Sequence, residues 1–424
     1  MTIIERRNRL RFIQPGRRWL VGAALVFGVT ACDGLDGLLA VDLPGEVQES
    51  DLNDPRMATT LVVSAQADFE CALSPHIWVT GSWVDDLHDT AQDRPGAFFS
   101  TRSSNSRFYA DHCTGTRPNY APFQTSRRQA ERAVELINEF PEGSVADRDY
   151  LLARAYAYAG YSYIFLGEAY CQLTFDAGPV HTREDTWRIA EARFTSALEH
   201  ATRASAHDSA ASIANLALVG RARARLNLGD YDGVVADASQ VPKGFEFFAT
   251  YDETPTRRRN SIYARNVLGS SSSVGTTFVG LEVEGVPDPR VDVYTLGRLG
   301  NDGVTPMWHQ RKYTSYSSPI RFASWREAQL MIAEARGGST AVDIINRLRD
   351  TFSLPHFEST DPEEIRATVW EERRRELFLE GTRIGDKLRS GEPWPTGHDH
   401  RGRAFEDNTC IPLPEFELIA NPNL

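Results

Sequence analysis

Residues 148–171 read Arg-Asp-Tyr-Leu-Leu-Ala-Arg-Ala-Tyr-Ala-Tyr-Ala-Gly-Tyr-Ser-Tyr-Ile-Phe-Leu-Gly-Glu-Ala-Tyr-Cys. Leu152, Ala155, Tyr156, Ala159, Tyr163 and Leu166 recur at steps of three and four, the period that lines up one face of an α-helix. The alanines and Gly160 leave little side chain between this helix and its neighbours, so close helix-helix packing is expected. Trp187 to Ala204 carries a matching stripe of Trp187, Ala190, Phe194, Ala197, Leu198 and Ala201. The two segments are expected to form an antiparallel hairpin.

Outward from this pair the pattern repeats. Ser212 to Gln240 holds an Ala-rich helix, the turn Leu228-Gly229-Asp230-Tyr231, and a second helix with Val234, Val235 and Ala238. The first pair also contains Leu166-Gly167. Helix, Leu-Gly turn, helix is the tetratricopeptide pattern, in which each hairpin buries its apolar face by stacking on the next. The two Leu-Gly pairs lie further apart than one ~34-residue repeat, so insertions separate the units.

Asp51 to Ala67 is also expected to be helical. Cys71 to Gln124, dense in Gly, Pro, Ser, Asp and aromatics, reads as long irregular loops with short helices. Helical pattern stops at Val241 and resumes near Pro319, with Gly, Ser and Pro clusters between; an insertion of that length in a compact body is usually functional. Helices are expected again over Ile320 to Ala335 and Ala341 to Thr351. The last begins at Asp361, which caps it, with Pro362 at the first turn and Glu363 and Glu364 at the positive end of its dipole. It is expected to run to Arg389 and stop at Ser390-Gly391.

The N-terminus has a different character. Six arginines fall in the first eighteen residues, and an uncharged apolar run from Trp19 to Val29 follows, ending in Val29-Thr30-Ala31-Cys32. This is an export signal closing in a lipobox, with Cys32 the expected lipidation site. The run is short for a membrane span, and acyl chains on Cys32 would anchor a soluble body. The expected organisation is a signal peptide at 1–31, a tether at 32–50 and one domain at 51–424. That domain comprises an N-terminal loop-rich part (51–147), tetratricopeptide-like hairpins (148–240), an irregular insertion (241–319), and C-terminal helices with a tail (320–424).

The chain carries a formal charge of −12; removal of residues 1–31 takes away six arginines and Glu5 and moves it to −17. Such an acidic body disfavours nucleic acid, which requires a cationic surface. Four cysteines follow Cys32: Cys71, Cys113, Cys171 and Cys410. An even number in an exported chain favours disulfides. Of the three connectivities, Cys71 with Cys113 and Cys171 with Cys410 is expected, each pair pinning a loop to the helical body. Zinc is disfavoured because no pair has the close Cys-x-x-Cys spacing.

Several segments together resemble the SusD/RagB family of nutrient-binding outer-membrane lipoproteins. These are Ile320-Arg321-Phe322-Ala323 through Ala333-Glu334-Ala335; Ala341 to Asn346-Arg347-Leu348-Arg349; Glu372-Arg373-Arg374-Arg375-Glu376-Leu377 with Glu380-Gly381, Arg383 and Asp386-Lys387-Leu388-Arg389; and the tail Ile411-Pro412-Leu413-Pro414, Glu417 and Asn421-Pro422-Asn423. With Cys32 and the Arg154 to Gly167 helix, the resemblance spans nearly the whole mature chain. It implies a mostly α protein: four tetratricopeptide-like hairpins in a SusD-like α-α superhelix, a loop-rich ligand-binding region and little β. It further implies a lipid anchor on the extracellular face of the outer membrane and a SusC-like TonB-dependent transporter as partner. The ligand would be a glycan or oligosaccharide, or else a peptide-like nutrient, bound without chemistry or cofactor. A helical-repeat envelope scaffold with no small ligand is the alternative. The chain is short for the family, which points to reduced binding loops.

No Gly-x-Ser-x-Gly elbow, His-Glu-x-x-His, phosphate-cradling loop or dinucleotide fingerprint is present. The Glu372 to Arg389 run has helical spacings that permit ion pairs, and structural pairing is its expected role. The cluster Asp85, Asp86, Asp89 and Asp93 lacks the spacing of a helix-loop-helix calcium site, and His398 with His400 makes a weaker metal candidate. No metal site is assigned.

Sugar binding requires exposed aromatic rings beside polar groups, because the apolar sugar face stacks on a ring while hydroxyls take side-chain hydrogen bonds. Candidates are therefore aromatics outside the helical stripes. Trp78, Trp83, Phe98, Tyr109 and Tyr120 lie in the first loop region; Trp308, Tyr313 and Tyr316 lie in the second. Asp85, Asp86, Arg102, Asn105, Gln310 and Lys312 supply polar company. The selected ligand-binding set is Trp78, Trp83, Asp85, Asp86, Tyr109, Trp308, Lys312, Tyr313 and Tyr316. Trp187, Phe194, Trp325 and Trp370 fall within helices and are expected in the core.

Overall fold

A computed structural model describes residues 52–424 apart from 85, 93, 116–118 and 255. The signal peptide, Cys32 and the 32–50 tether lie outside the described residues, as does Asp85.

Among the described residues thirteen helices carry the fold, and no strand exceeds the seven residues of Val293–Leu299. The longest helix, α1 (Ala58–Trp83), follows a short turn at Pro55–Met57 whose N-cap Asp54 accepts the Arg56 amide at 2.8 Å. Next come α2 (Arg94–Ser100), α3 (Ala121–Glu139), α4 (Arg148–Ala169), α5 (Arg183–Arg203), α6 (Ala210–Leu228) and α7 (Tyr231–Ala238). After the insertion, which holds the one-turn helix α8 (Ser261–Tyr263), come α9 (Trp325–Arg336), α10 (Gly338–Asp350), α11 (Pro362–Glu376), α12 (Arg383–Ser390) and α13 (Glu415–Ala420).

The helices pair as α1 with α3, α4 with α5, α6 with α7, and α9 with α10. Each hairpin packs on the next, through α3 on α4, α5 on α6 and α7 on α9. This stacking is the tetratricopeptide arrangement, and it places one continuous apolar core between successive hairpins. The antiparallel course of α4 and α5 is visible in two glycines. A Cβ on Gly160 would meet Phe194 Cε1 at 2.7 Å, and one on Gly167 would meet Trp187 Nε1 at 2.7 Å. Moving seven residues forward on α4 moves seven back on α5.

The Leu-Gly motif therefore has two meanings here. Gly229 ends α6 in the left-handed conformation at φ 77°, and Asp230 caps α7 by accepting the Gly233 amide at 3.0 Å. Gly167 lies inside α4, where it makes room for Trp187 rather than a turn.

Three other expectations are corrected. Cys71 to Gln124 is not mainly loop: α1 continues through it to Trp83, and α3 starts at Ala121. From Phe69 to Trp83 every α1 residue is buried, so no polar stripe marks the helical period. Ile320–Ser324 is a strand, β8, that pairs antiparallel with β2 (Glu246–Ala249); Ser324 then caps α9. The last helix is broken between α11 and α12, with Leu379 at φ 56° and Gly381 at φ 82°. There the chain turns inward to bury Phe378 and Leu379.

The insertion is built of small antiparallel pairs. β1 (Leu87–Asp89) joins β3 (Ser272–Val274), β4 (Glu282–Val283) joins β5 (Val286–Pro287), and β6 (Val293–Leu299) joins β7 (Pro306–Gln310). β3 also ties the insertion to the region after α1. Disulfides join Cys71 to Cys113 and Cys171 to Cys410, with Cα atoms 5.7 Å and 5.1 Å apart. Among the described residues no helix is long and apolar enough to cross a membrane.

The arginines and carboxylates of the last helices stitch the repeats together. Glu372 meets Arg290 at 2.5 Å and Arg349 at 2.7 Å; Arg373 and Arg389 each meet Asp386 at 2.7 Å. Most partners come from other elements rather than from the same helix turn. Buried guanidinium groups persist in a core only with such compensation.

Candidate functional site

A cleft of about 270 Å³ opens where α1 meets the insertion. Cys71, Ser74 and Pro75 of α1 form one side, and Cys113 to Gly115, held there by the disulfide, form another. The rest comes from the segments around α8 and Tyr316. Pro75 has no amide proton, so the Cys71 carbonyl lacks its usual helical donor at this edge.

The insertion is fastened to α1 by a small hydroxyl network. Ser74 Oγ donates to Ser261 Oγ at 2.9 Å and accepts the Ser261 amide at 3.0 Å. Asn260, fully buried, caps α8 by accepting the Ile262 and Tyr263 amides at 3.1 and 3.2 Å. Its own amide donates to the Tyr316 carbonyl at 2.8 Å, and its Nδ2 donates to Ser318 O at 2.9 Å. One buried residue thus sets both the short helix and the turn from Tyr316 to Ser318. The Tyr316 ring, half-buried, has the Arg259 guanidinium 4.5 Å from its centroid and Tyr263 edge-on at 5.5 Å.

The expected ligand residues do not form one set. Tyr316 lines this cleft. Trp78 lies just inside it, 2 % exposed beneath the Arg265 guanidinium at 3.9 Å, and Trp83 is wholly buried. Neither offers a ring face to a ligand, because both belong to the enclosed half of α1 and not to a loop. Trp308 is half-buried on β7, its amide donating to Ser273 Oγ at 2.9 Å and its carbonyl accepting from Asn266 at 2.9 Å. Tyr109 stacks on Phe98 at 5.6 Å, away from the cleft lining.

Lys312 and Tyr313 line a different cavity of about 540 Å³. The Lys312 ammonium donates to Phe378 O and Glu380 Oε1, both at 2.6 Å, and burial pulls its pKa below the usual lysine value. Tyr313 is buried and donates its hydroxyl to Leu379 O at 2.9 Å. Both hold the broken turn between α11 and α12. Asp86, buried, lines a third cavity of about 520 Å³, where Arg383 Nε approaches it to 3.7 Å. Arg102, Gln310 and Tyr120 are also internal.

The cleft-lining charges that the sequence reading passed over are Arg257, Arg259 and Arg265. The run Arg257-Arg258-Arg259 in an acidic chain was the available signal. Carboxylate catalysis finds no support in the Lys312 cavity, where Arg321 holds Glu376 at 3.2 Å and Glu380 at 3.0 Å. Among the described residues, no group of three or more His, Cys, Asp or Glu side chains is placed to hold a metal ion.

No protein-family model matches the sequence, and no curated protein matches it. Solved structures do. A SusD-like protein from Bacteroides fragilis NCTC 9343 superposes with a TM-score of 0.67 at 14% identity, covering 89% of this chain and 98% of its own. A SusD-like carbohydrate binding protein from Bacteroides vulgatus ATCC 8482 gives 0.66 at 15% identity, covering 88% and 97%. A SusD homolog from Bacteroides thetaiotaomicron VPI-5482 gives 0.66 at 15%, covering 89% and 98%. The chain has the SusD-like fold along nearly its whole described length.

Proposed function

We propose that a chain with this SusD-like fold is a lipid-anchored binding protein of the outer membrane that captures a glycan or oligosaccharide and passes it to a TonB-dependent transporter. It carries out no chemistry of its own. The observation that carries the reading is the cleft between α1 and the insertion, where Tyr316 lies beside a guanidinium and hydroxyl groups. A sugar needs that combination: a ring for its apolar face and fixed polar atoms for its hydroxyls. Two matched structures bear the description of carbohydrate binding proteins, in keeping with such a ligand.

The anchor in this reading is Cys32, directly after Val29-Thr30-Ala31. Its thiol would carry the acyl chains, while the acidic body stays clear of the lipid surface.

Calorimetric titration of the purified chain against a glycan panel tests the reading. Binding of at least one glycan is expected, weakened about tenfold or more in Tyr316→Ala, since ring stacking contributes on the order of 1–3 kcal/mol. An unchanged affinity in a Tyr316→Ala protein of normal thermal stability removes this cleft from the site. Co-purification of a β-barrel transporter tests the delivery step, and recovery of the chain without one counts against it.

A further inference from the structure

The Tyr316 cleft is lined by arginines within an acidic protein. Among the described residues its lining includes Arg257, Arg259 and Arg265 and no Asp or Glu side chain, although the chain as a whole is at −12. Two members of the Arg257-Arg258-Arg259 run are neutralised by α1: Arg257 pairs with Asp68, and Arg258 meets Glu70 at 3.3 Å. Arg259 is held differently. Its Nε donates to Glu253 O at 3.1 Å and its Nη2 to Thr254 O at 3.4 Å, both backbone carbonyls. The neighbouring Glu253 carboxylate instead accepts the Ser317 amide at 3.1 Å and hydroxyl at 2.7 Å. Among the described residues no carboxylate forms an ion pair with Arg259, so its charge is held over Tyr316 without a counter-ion from any of them.

We infer that the Tyr316 cleft selects saccharides bearing an anionic group, a uronate carboxylate or a sulfate ester, with Arg259 as the residue that reads the charge. This rests on the glycan-binding reading above and narrows it. The reasoning is electrostatic and geometric. A guanidinium held over a ring by two carbonyls retains further N–H groups along its edge, the geometry that matches the paired oxygens of carboxylate or sulfate. Preorganisation by Tyr316 and two carbonyls removes part of the side-chain ordering cost on binding. At about 270 Å³ the cleft suits one sugar ring with its charged substituent rather than a long chain.

The test is titration of the full chain, purified in detergent, with matched probes. Oligogalacturonate is compared with its methyl ester, and sulfated with unsulfated dextran oligosaccharides; an acidic Asp/Glu peptide is run alongside. At least one acidic saccharide is expected to bind about tenfold or more tighter than its neutral counterpart, with the advantage shrinking as salt rises. The two acidic probes distinguish carboxylate from sulfate. Arg259→Gln should abolish the advantage, and Arg259→Lys should keep part of it, with thermal midpoints near that of the parent.

Equal binding of acidic and neutral partners, or full acidic preference in Arg259→Gln, overturns this inference and leaves the glycan-binding reading standing. Failure of every saccharide to bind overturns the reading beneath it. Binding of the acidic peptide alone overturns both.

Discussion

Arg223 of α6 and Glu168 of α4 meet in the core, Nε to Oε1 at 2.9 Å, with 2 % and 1 % of their side chains exposed. Asn227 donates to the same carboxylate oxygen at 2.8 Å, and Glu327 of α9 stands 3.7 Å from Arg223 Nη1. The pair therefore links three successive hairpins. Removing one partner leaves the other charge buried and uncompensated, which typically costs about 3–5 kcal/mol. Glu168→Gln and Arg223→Met are each expected to lose stability of that order in urea unfolding. The double variant should recover a large part of the loss, since no lone charge remains between those two positions. Additive losses would show that the two residues act independently.

The two disulfides constrain chain segments of very different length, 42 and 239 residues of separation. In the chain-entropy account, closing loops of these lengths stabilises by about 4 and about 5 kcal/mol. A Cys171→Ser, Cys410→Ser variant is thus expected to lose at least as much stability as a Cys71→Ser, Cys113→Ser variant. The functional effects should run the other way, because only Cys71 and Cys113 line the Tyr316 cleft. Unfolding curves and ligand titrations on the same two proteins separate these effects; glycan affinity lost only in the Cys171/Cys410 variant contradicts the assignment.

Two buried groups give the protein a pH signature. Burial, with a smaller push from Arg223, lowers the His76 pKa from 6.5 to about 3. Burial also raises the Glu327 pKa from 4.5 to about 7, against the pull of Arg223 and Arg373. For His76 the unfolded chain takes up a proton below 6.5 and the folded one does not until about 3, so stability is lost as pH drops through that window. For Glu327 the folded chain keeps a proton that the unfolded one releases above 4.5, so stability falls as pH rises from 4.5 to about 7. The two slopes, each about 1.4 kcal/mol per pH unit at most, oppose one another where the windows overlap. Glu327→Gln should expose the His76 slope, and His76→Leu the Glu327 slope. Unfolding free energies that trace the parental pH profile in both variants would refute the assignment.

The fold was legible where apolar or alanine-rich residues recur at helical steps and obscure where they do not. In α5 and α7 solvent covers one face and leaves an apolar stripe on the other, whereas α4, buried at every position from Ala157 to Ala169, was legible from its alanine-rich run at steps of three and four. The enclosed part of α1 has no solvent face, so Trp78 and Trp83 read as loop aromatics when they are core. Pairing of β8 with β2 is likewise a tertiary event that Ile320-Arg321-Phe322-Ala323 does not announce. At the candidate cleft, Tyr316 was singled out by type and place, and it is half-buried in the lining. Lys312 and Tyr313 were misjudged because a lysine and a tyrosine in a loop look available, whereas here they tie down the Phe378 and Leu379 carbonyls. The three clustered arginines were overlooked since only the fold shows which of them lacks a carboxylate.

Phe194 is the other point where helix spacing can be probed directly. Its ring lies against the α4 backbone, where a Cβ on Gly160 would sit 2.7 Å from Cε1 and 2.8 Å from Cζ. The ring is fully buried and also touches Tyr161 edge-on at 5.0 Å, so it has little room to retreat. Gly160→Ala would gain helix propensity of up to about 1 kcal/mol if the site were open. Overpacking here should outweigh that gain, for a net loss on the order of 1–3 kcal/mol. Phe194→Leu in the same chain relieves the clash at the expense of some buried area, so the double variant should be more stable than the sum of the singles predicts. A thermal unfolding cycle over the four proteins measures that coupling. A coupling of zero would mean that α4 and α5 are not held at glycine distance.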